Sequence, residues 1–302
     1  MPDYVIETKG LTVTYGRHRG IVEVDLRVRE GEIFGFLGPN GAGKTTTQRV
    51  LLDIIRPTAG EARLFGLDCR RQGVEARRRV GYLPGELALH GSMRVSQFFA
   101  MHASLHGGAA SSDRWRTLAE RLELDPGRRI RQLSRGNKQK VGVVAAFMHQ
   151  PDLLILDEPT SGLDPLMQQT VMELVREANA AGATVFFSSH NLPEVQAVCD
   201  RVGIIREGAL VATERIESLT RQQFRRVRLS FAAPPPSGAF DLPGVAQTAQ
   251  DGSSVTLEIR QNLDKVLESA AALGITDIET IPVTLEEIFL AYYGKGNGGN
   301  HA

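Results

Sequence analysis

One eight-residue stretch constrains this chain more than any other: Gly38-Pro39-Asn40-Gly41-Ala42-Gly43-Lys44-Thr45, which fits G-x-x-x-x-G-K-[ST]. Its glycines let the backbone curl so that successive N–H groups converge on phosphate oxygens. A helix that follows adds the positive end of its dipole. In this pattern Lys44 reaches the β and γ phosphates, and the Thr45 hydroxyl joins the shell of a Mg²⁺ ion. A glycine-rich turn can match by chance, so the flanks decide. Glu32 to Leu37 reads as a buried strand. Lys44 to Ile55 reads as a helix, with Val50, Leu51, Ile54 and Ile55 at helical spacing and Pro57 just past its end. A strand before and a helix after are the context the motif requires.

Downstream, Leu153-Leu154-Ile155-Leu156-Asp157-Glu158 is an apolar strand ending in two carboxylates. Strands often end in acidic residues, so this pair gains weight only from the phosphate loop before it. There, Asp157 would hold Mg²⁺ through water, and Glu158 would polarise the water that attacks a γ-phosphate. Three further segments accompany these two. They are Leu133-Ser134-Arg135-Gly136-Asn137, Ser161-Gly162-Leu163-Asp164, and Ser188-Ser189-His190 after the β-rich run Thr184-Val185-Phe186-Phe187. In this order, over roughly residues 3 to 220, the set resembles the ABC ATPase family.

The resemblance implies an α/β fold: a P-loop NTPase domain of the ABC type with a helical insert. It implies ATP and Mg²⁺ as ligands, the nucleotide lying on Gly38 through Thr46, and Thr45 and Asp157 at the metal. It gives Glu158 and His190 catalytic roles, His190 as the switch histidine. Ser134 and Gly136 match the signature LSGGQ, which would meet the ATP held by a second copy, so a homodimer is implied. Tyr15 lies where the family stacks an aromatic ring on adenine; alone it would read as a core strand aromatic. Alone, Ser134 would read as a helix N-cap, and both readings can hold, since a capped helix start is a phosphate site. The chain departs from the pattern in two places. Arg135 and Asn137 replace the usual Gly and Gln of the signature. In Gly81-Tyr82-Leu83-Pro84-Gly85 the expected Gln is Gly85, which has no side chain to reach Mg²⁺ or water; Glu86 is adjacent and could substitute.

Around these motifs, alternating strand and helix patterns point to a largely parallel sheet covered by helices. Residues about 86–132 turn helical, with Val95 to Leu105 and Asp113 to Leu124 as helices broken apart by Gly107 and Gly108. A boundary near Phe224 divides an ATPase domain, 1–223, from a small α+β domain, 224–293. In the latter, Val227/Leu229/Phe231 and Val255/Leu257/Ile259 alternate as strands. Leu263 to Leu273 is a helix, Ile275 to Ile281 a strand, and Thr284-Leu285-Glu286-Glu287 a capping box that starts a helix through Tyr292. The Gly/Asn-rich tail, 294–302, is expected to be disordered.

Composition narrows the function. Lys plus Arg is 35 and Asp plus Glu is 35, so no net charge draws the chain to nucleic acid. Cys69 and Cys199 form neither a disulfide framework nor a zinc pattern, which suits a reducing cytosol. The start Met1-Pro2-Asp3-Tyr4 carries no secretory signal, and no apolar run reaches the ~18 residues of a spanning helix. The expectation is an ATP-hydrolysing subunit on the inner face of the cell membrane, working through separate transmembrane permease subunits. Pro282 to Leu290 resembles the appended domain of ATPases serving ABC-2-type exporters, which ranks drug or antibiotic efflux first. The alternatives are a soluble non-transport ABC ATPase and a nucleotide-binding switch. The first usually carries two motif sets, a long coiled coil or zinc sites, and Glu158 with His190 speaks against the second.

Overall fold

The computed structural model describes residues 4–281 apart from 17, 106–110 and 222–224. The helix expected over Thr284 to Tyr292, the tail 294–302, and the break at Gly107 and Gly108 lie outside the described residues. The chain divides into two compact units, Met1–Ile216 and Glu217–Ala302, so the division falls upstream of Phe224.

In the first unit a six-stranded sheet runs in the order Ala209–Arg215, Arg201–Arg206, Ile33–Leu37, Thr184–Ser189, Leu153–Asp157, Val80–Leu83. It is parallel apart from the edge strand Ala209–Arg215. Its central strands Ile33–Leu37, Leu153–Asp157 and Thr184–Ser189 are buried at every residue, which is why they read as continuous apolar runs. A second sheet, wholly antiparallel, pairs Tyr4–Tyr15 with His18–Val24, Arg27–Arg29 and Ala59–Leu64. The two sheets share a core. Ile6, Leu11 and Val28 from one meet Phe34, Phe36 and Phe186 from the other, with Val50 and Leu51 of the helix Lys44–Leu51 in the same cluster.

That helix is shorter than its apolar spacing suggests. It ends at Leu51, not Ile55. Asp53 adopts φ 55 and donates its N–H to Val50 O, and the amides of Ile54 and Ile55 both turn back to Arg49 O. A left-handed residue closes the helix, and Ile54 is left largely exposed, so the apolar spacing outran the helical backbone.

The insert is helical as expected: Val95–Leu105 and Ser111–Arg121, the second starting before Asp113 and stopping short of Leu124. Trp115 packs its ring 5.3 Å from Phe99 to join the two. The helix Arg135–Phe147 then leads back to the sheet. Both cysteines are buried and free, and burial pushes the Cys69 thiol up to about 12 and Cys199 well above its ordinary value. Neither is a thiolate near neutral pH.

The second unit holds a four-stranded antiparallel sheet, Val245–Asp251, Ser254–Ile259, Arg225–Phe231, Ile275–Ile281, with the helix Leu263–Ala272. Leu229, Phe231, Leu257, Val266 and Ala270 form its core. The strand Val245–Asp251 escaped the sequence reading because it is an edge, exposed at nearly every position, with no apolar alternation to reveal it.

Candidate functional site

Three parallel strands end together. Leu37 pairs with Ser189, and Asp157 with Ser188, so the turns after Leu37, Asp157 and Ser189 open on one rim of the sheet. The carboxyl ends of parallel strands are where such sheets bind ligands. The loop from Gly38 carries two residues in the left-handed region, Gly41 (φ 80) and Gly43 (φ 109). A Cβ on Gly43 would also come within 2.6 Å of the Ile21 side chain. Gly43 caps the helix Lys44–Leu51 with no side-chain bond, so the first N–H groups of that helix keep no cap from the chain. The start of that helix borders a cavity of about 250 Å³ lined by Tyr15, Gly20, Asn40, Gly41, Gly43, Lys44, Thr45, Thr46 and Glu158.

Lys44 is 5% exposed. Its Nζ donates to Gly38 O at 2.7 Å and Pro39 O at 3.1 Å and stands 3.5 Å from Glu158 Oε1. Ala42 is buried, its N–H on Pro39 O and its carbonyl taken by Gly208. Thr45 Oγ1 donates to Asp157 Oδ2 at 2.7 Å, while Ser188 Oγ donates to Asp157 Oδ1 at 2.5 Å. Glu158 takes φ 49, strained for a residue with a side chain. Its N–H donates to Ser188, and its carbonyl accepts from the buried Gln139 Nε2 at 3.1 Å. His190 Nδ1 lies 3.2 Å from Glu158 Oε1. Tyr15 is 46% exposed at the cavity edge, its hydroxyl 3.5 Å from Thr46 Oγ1.

Ser134 and Gly136 are not brought to this cavity. Ser134 caps the helix Arg135–Phe147, its Oγ accepting from the Asn137 N–H at 3.2 Å. Gly136 abuts the loop at Gly162, where a Cβ would sit 2.7 Å from the Gly162 carbonyl. Gly85 faces Asp157: a Cβ there would lie 2.8 Å from Asp157 Oδ2, so a glycine suits that approach, and Glu86 is exposed. Reading by motif overlooked Gln139, Ser188, Thr160 and Glu194. The signal was available for Ser188, the first of two serines that follow an apolar run and the pairing partner of Asp157.

The family model described as ABC transporter matches residues 21–161. The bacitracin transport ATP-binding protein BcrA of Enterococcus faecalis is 31% identical over 303 residues, covering 97% of this chain and 98% of BcrA.

The chain belongs to the ABC transporter ATP-binding proteins.

The probable multidrug ABC transporter ATP-binding protein YbhF of Escherichia coli is 34% identical over 222 residues, 72% of this chain, and this chain spans only 38% of its length. A solved ATP-binding subunit of an ABC transporter superposes with TM-score 0.67 at 29% identity, covering 72% of this chain and 92% of that one. Proteins of this family bind ATP, and the cavity suits a polyphosphate ligand. Glycines, uncapped N–H groups and a buried ammonium surround a space open to polyphosphate. Magnesium bound with a nucleotide needs one or two hard protein oxygens besides phosphate, and Thr45 Oγ1 and Asp157, 2.7 Å apart, are oxygens that could hold it. Among the described residues no helix is long and apolar enough to cross a membrane.

Proposed function

We propose that this chain binds ATP with Mg²⁺ in the cavity beside Lys44 and hydrolyses it to drive an exporter built with separate membrane-spanning permease subunits. The observation that carries the hydrolytic reading is the position of Glu158 Oε1, between Lys44 Nζ at 3.5 Å and His190 Nδ1 at 3.2 Å, at the cavity wall. A carboxylate so held can accept a proton from water approaching the γ-phosphate, and His190 fixes its direction. The loop N–H groups and Lys44 hold the phosphates, Tyr15 offers a ring to adenine, and Thr45 and Asp157 would hold the metal. Bound Mg²⁺ would neutralise charge on the β and γ phosphates.

A second copy completes the site in this proposal. Ser134 and the N-terminus of Arg135–Phe147 present a hydroxyl, N–H groups and a helix dipole that do not line their own cavity. In a head-to-tail dimer they meet the partner's γ-phosphate. Replacing Ser134 with Arg is therefore expected to suppress hydrolysis while leaving its own phosphate loop able to bind ATP. Mixed with a Lys44→Ala variant, it should regain at most one working site per dimer. Normal turnover by Ser134→Arg alone would refute the shared site.

BcrA is a bacitracin transport ATP-binding protein and YbhF a probable multidrug ABC transporter ATP-binding protein, and these likenesses support an exporter. Antibiotic or drug efflux is the cargo class they suggest, with the chain peripheral on the inner membrane face and the helical insert, about 86–132, docking a cytoplasmic helix of the permease. When co-expressed with its membrane partner, the chain should co-purify from membranes and its ATPase rate should change. Recovery only from the soluble fraction, with turnover indifferent to that partner, would instead favour a soluble ABC ATPase.

A further inference from the structure

Glu158 and His190 sit in two separate turns, one after Leu153–Asp157 and one after Thr184–Ser189. Their 3.2 Å approach depends on those turns keeping a fixed spacing, although Glu158 is strained at φ 49 and the His190 side chain is more than half exposed. The group that spans the two turns is Glu194, in the first turn of the helix Leu192–Val198. One of its oxygens accepts the Thr160 hydroxyl proton at 2.8 Å, and the other accepts that of Ser189 at 2.8 Å. Thr160 lies two positions after Glu158, and Ser189 immediately precedes His190. Both hydroxyls are buried, Thr160 at 5% and Ser189 at 2% exposure. Ser189 Oγ also accepts the Asn191 N–H at 2.9 Å, which folds the turn around His190.

We infer that Glu194 is a positioning residue for hydrolysis: its carboxylate ties the turn of Glu158 to the turn of His190 and so sets the distance between them. This rests on the ATPase reading above. The chemistry suits the task. An ionised carboxylate is an acceptor with two oxygens, and each here meets one hydroxyl donor. Charge-assisted bonds of this kind are short and directional. Glu194 does not line the nucleotide cavity and makes no bond to the phosphate loop, so its influence falls on the reacting geometry rather than on binding. A shift of an ångström in a catalytic pair is enough to lower the chemical step steeply.

The test uses the full chain under the conditions in which the wild type hydrolyses ATP, with turnover at saturating ATP and the ATP dissociation constant measured separately. Glu194→Ala is expected to lower kcat by on the order of tenfold or more while the dissociation constant stays within about twofold. Glu194→Gln keeps one acceptor oxygen and should recover most of that loss. Because Thr160 acts through Glu194, adding Thr160→Val to Glu194→Ala should cost nothing further. If Glu194→Ala does not fold, Thr160→Val and Ser189→Ala each remove one tie and should each lower kcat in part without changing affinity. Wild-type kcat in Glu194→Ala, or in both single-tie variants, overturns the inference, as does a parallel fall in kcat and affinity. A wild-type chain with no turnover in the presence of its membrane partner overturns the ATPase reading itself, which is a different result.

Discussion

Lys44→Ala is expected to abolish ATP turnover and to weaken ATP binding by roughly a hundredfold, the equivalent of about 3 kcal/mol for one lost charge-assisted contact in a dry site. The ammonium is almost wholly buried and already braces the loop, with Nζ on the carbonyls of Gly38 and Pro39. Those two bonds hold the group at the loop mouth without neutralising it. Glu158 Oε1, at 3.5 Å, is its nearest anionic neighbour. A polyphosphate entering the cavity meets a cation that is desolvated and fixed, so little reorganisation opposes its binding. Alanine removes the charge, unties the loop and takes from Glu158 one of its two partners. Calorimetric titration with ATP, beside a steady-state ATPase assay and a melting curve without nucleotide, separates lost binding from lost folding. Unchanged turnover in a folded variant would sink the phosphate-loop assignment.

How far the sequence announced this site depended on what each residue has to do locally. The phosphate loop is legible because its demands are local. Positive φ at Gly41 and Gly43 calls for glycine, and the strand and helix around them carry their own periodicity. Asp157 and Glu158 were legible for the same reason, as charges ending a run buried at every position. The ties between turns were not. Gln139 reaches the Glu158 carbonyl from another helix, and Glu194 reaches Thr160 across 34 positions. No spacing rule encodes such contacts. They exist only once parallel strands have lined up Asp157 with Ser188.

The fold divides along a similar line. Central strands and the helices Val95–Leu105 and Leu263–Ala272 follow from pattern, because burial fixes which positions must be apolar. The antiparallel sheet around Tyr4–Tyr15 was missed. Its strands alternate with bulges: register shifts fall between Leu11 and Val13 and again between Val13 and Thr14, which breaks the period-two signal. Short pieces such as Arg27–Arg29 carry too few residues to show any period.

Glu158→Gln tests the other half of the chemistry, and its expected effect is the opposite of Lys44→Ala in one respect: hydrolysis stops while ATP still binds. The amide has nearly the shape of the carboxylate, so residue 158 should keep its φ 49 backbone, its N–H bond to Ser188 and the bond its carbonyl accepts from Gln139. What changes is the charge between Lys44 Nζ and His190 Nδ1. A neutral amide cannot take a proton from water, and losing a positioned base costs on the order of 10²- to 10⁴-fold in rate. Binding should hold, because the groups proposed to face phosphate, the loop amides, Lys44 and Thr45, are all untouched. Since ATP then persists, the head-to-tail dimer that closes on it should persist too. Light scattering in ATP and Mg²⁺ is expected to report twice the monomer mass for Glu158→Gln, and monomer for Lys44→Ala. A variant that binds ATP tightly yet stays monomeric would retain Glu158 as the base but remove the second copy from the mechanism. A variant that still turns over near the wild-type rate would move the base elsewhere, with His190 the next residue to replace.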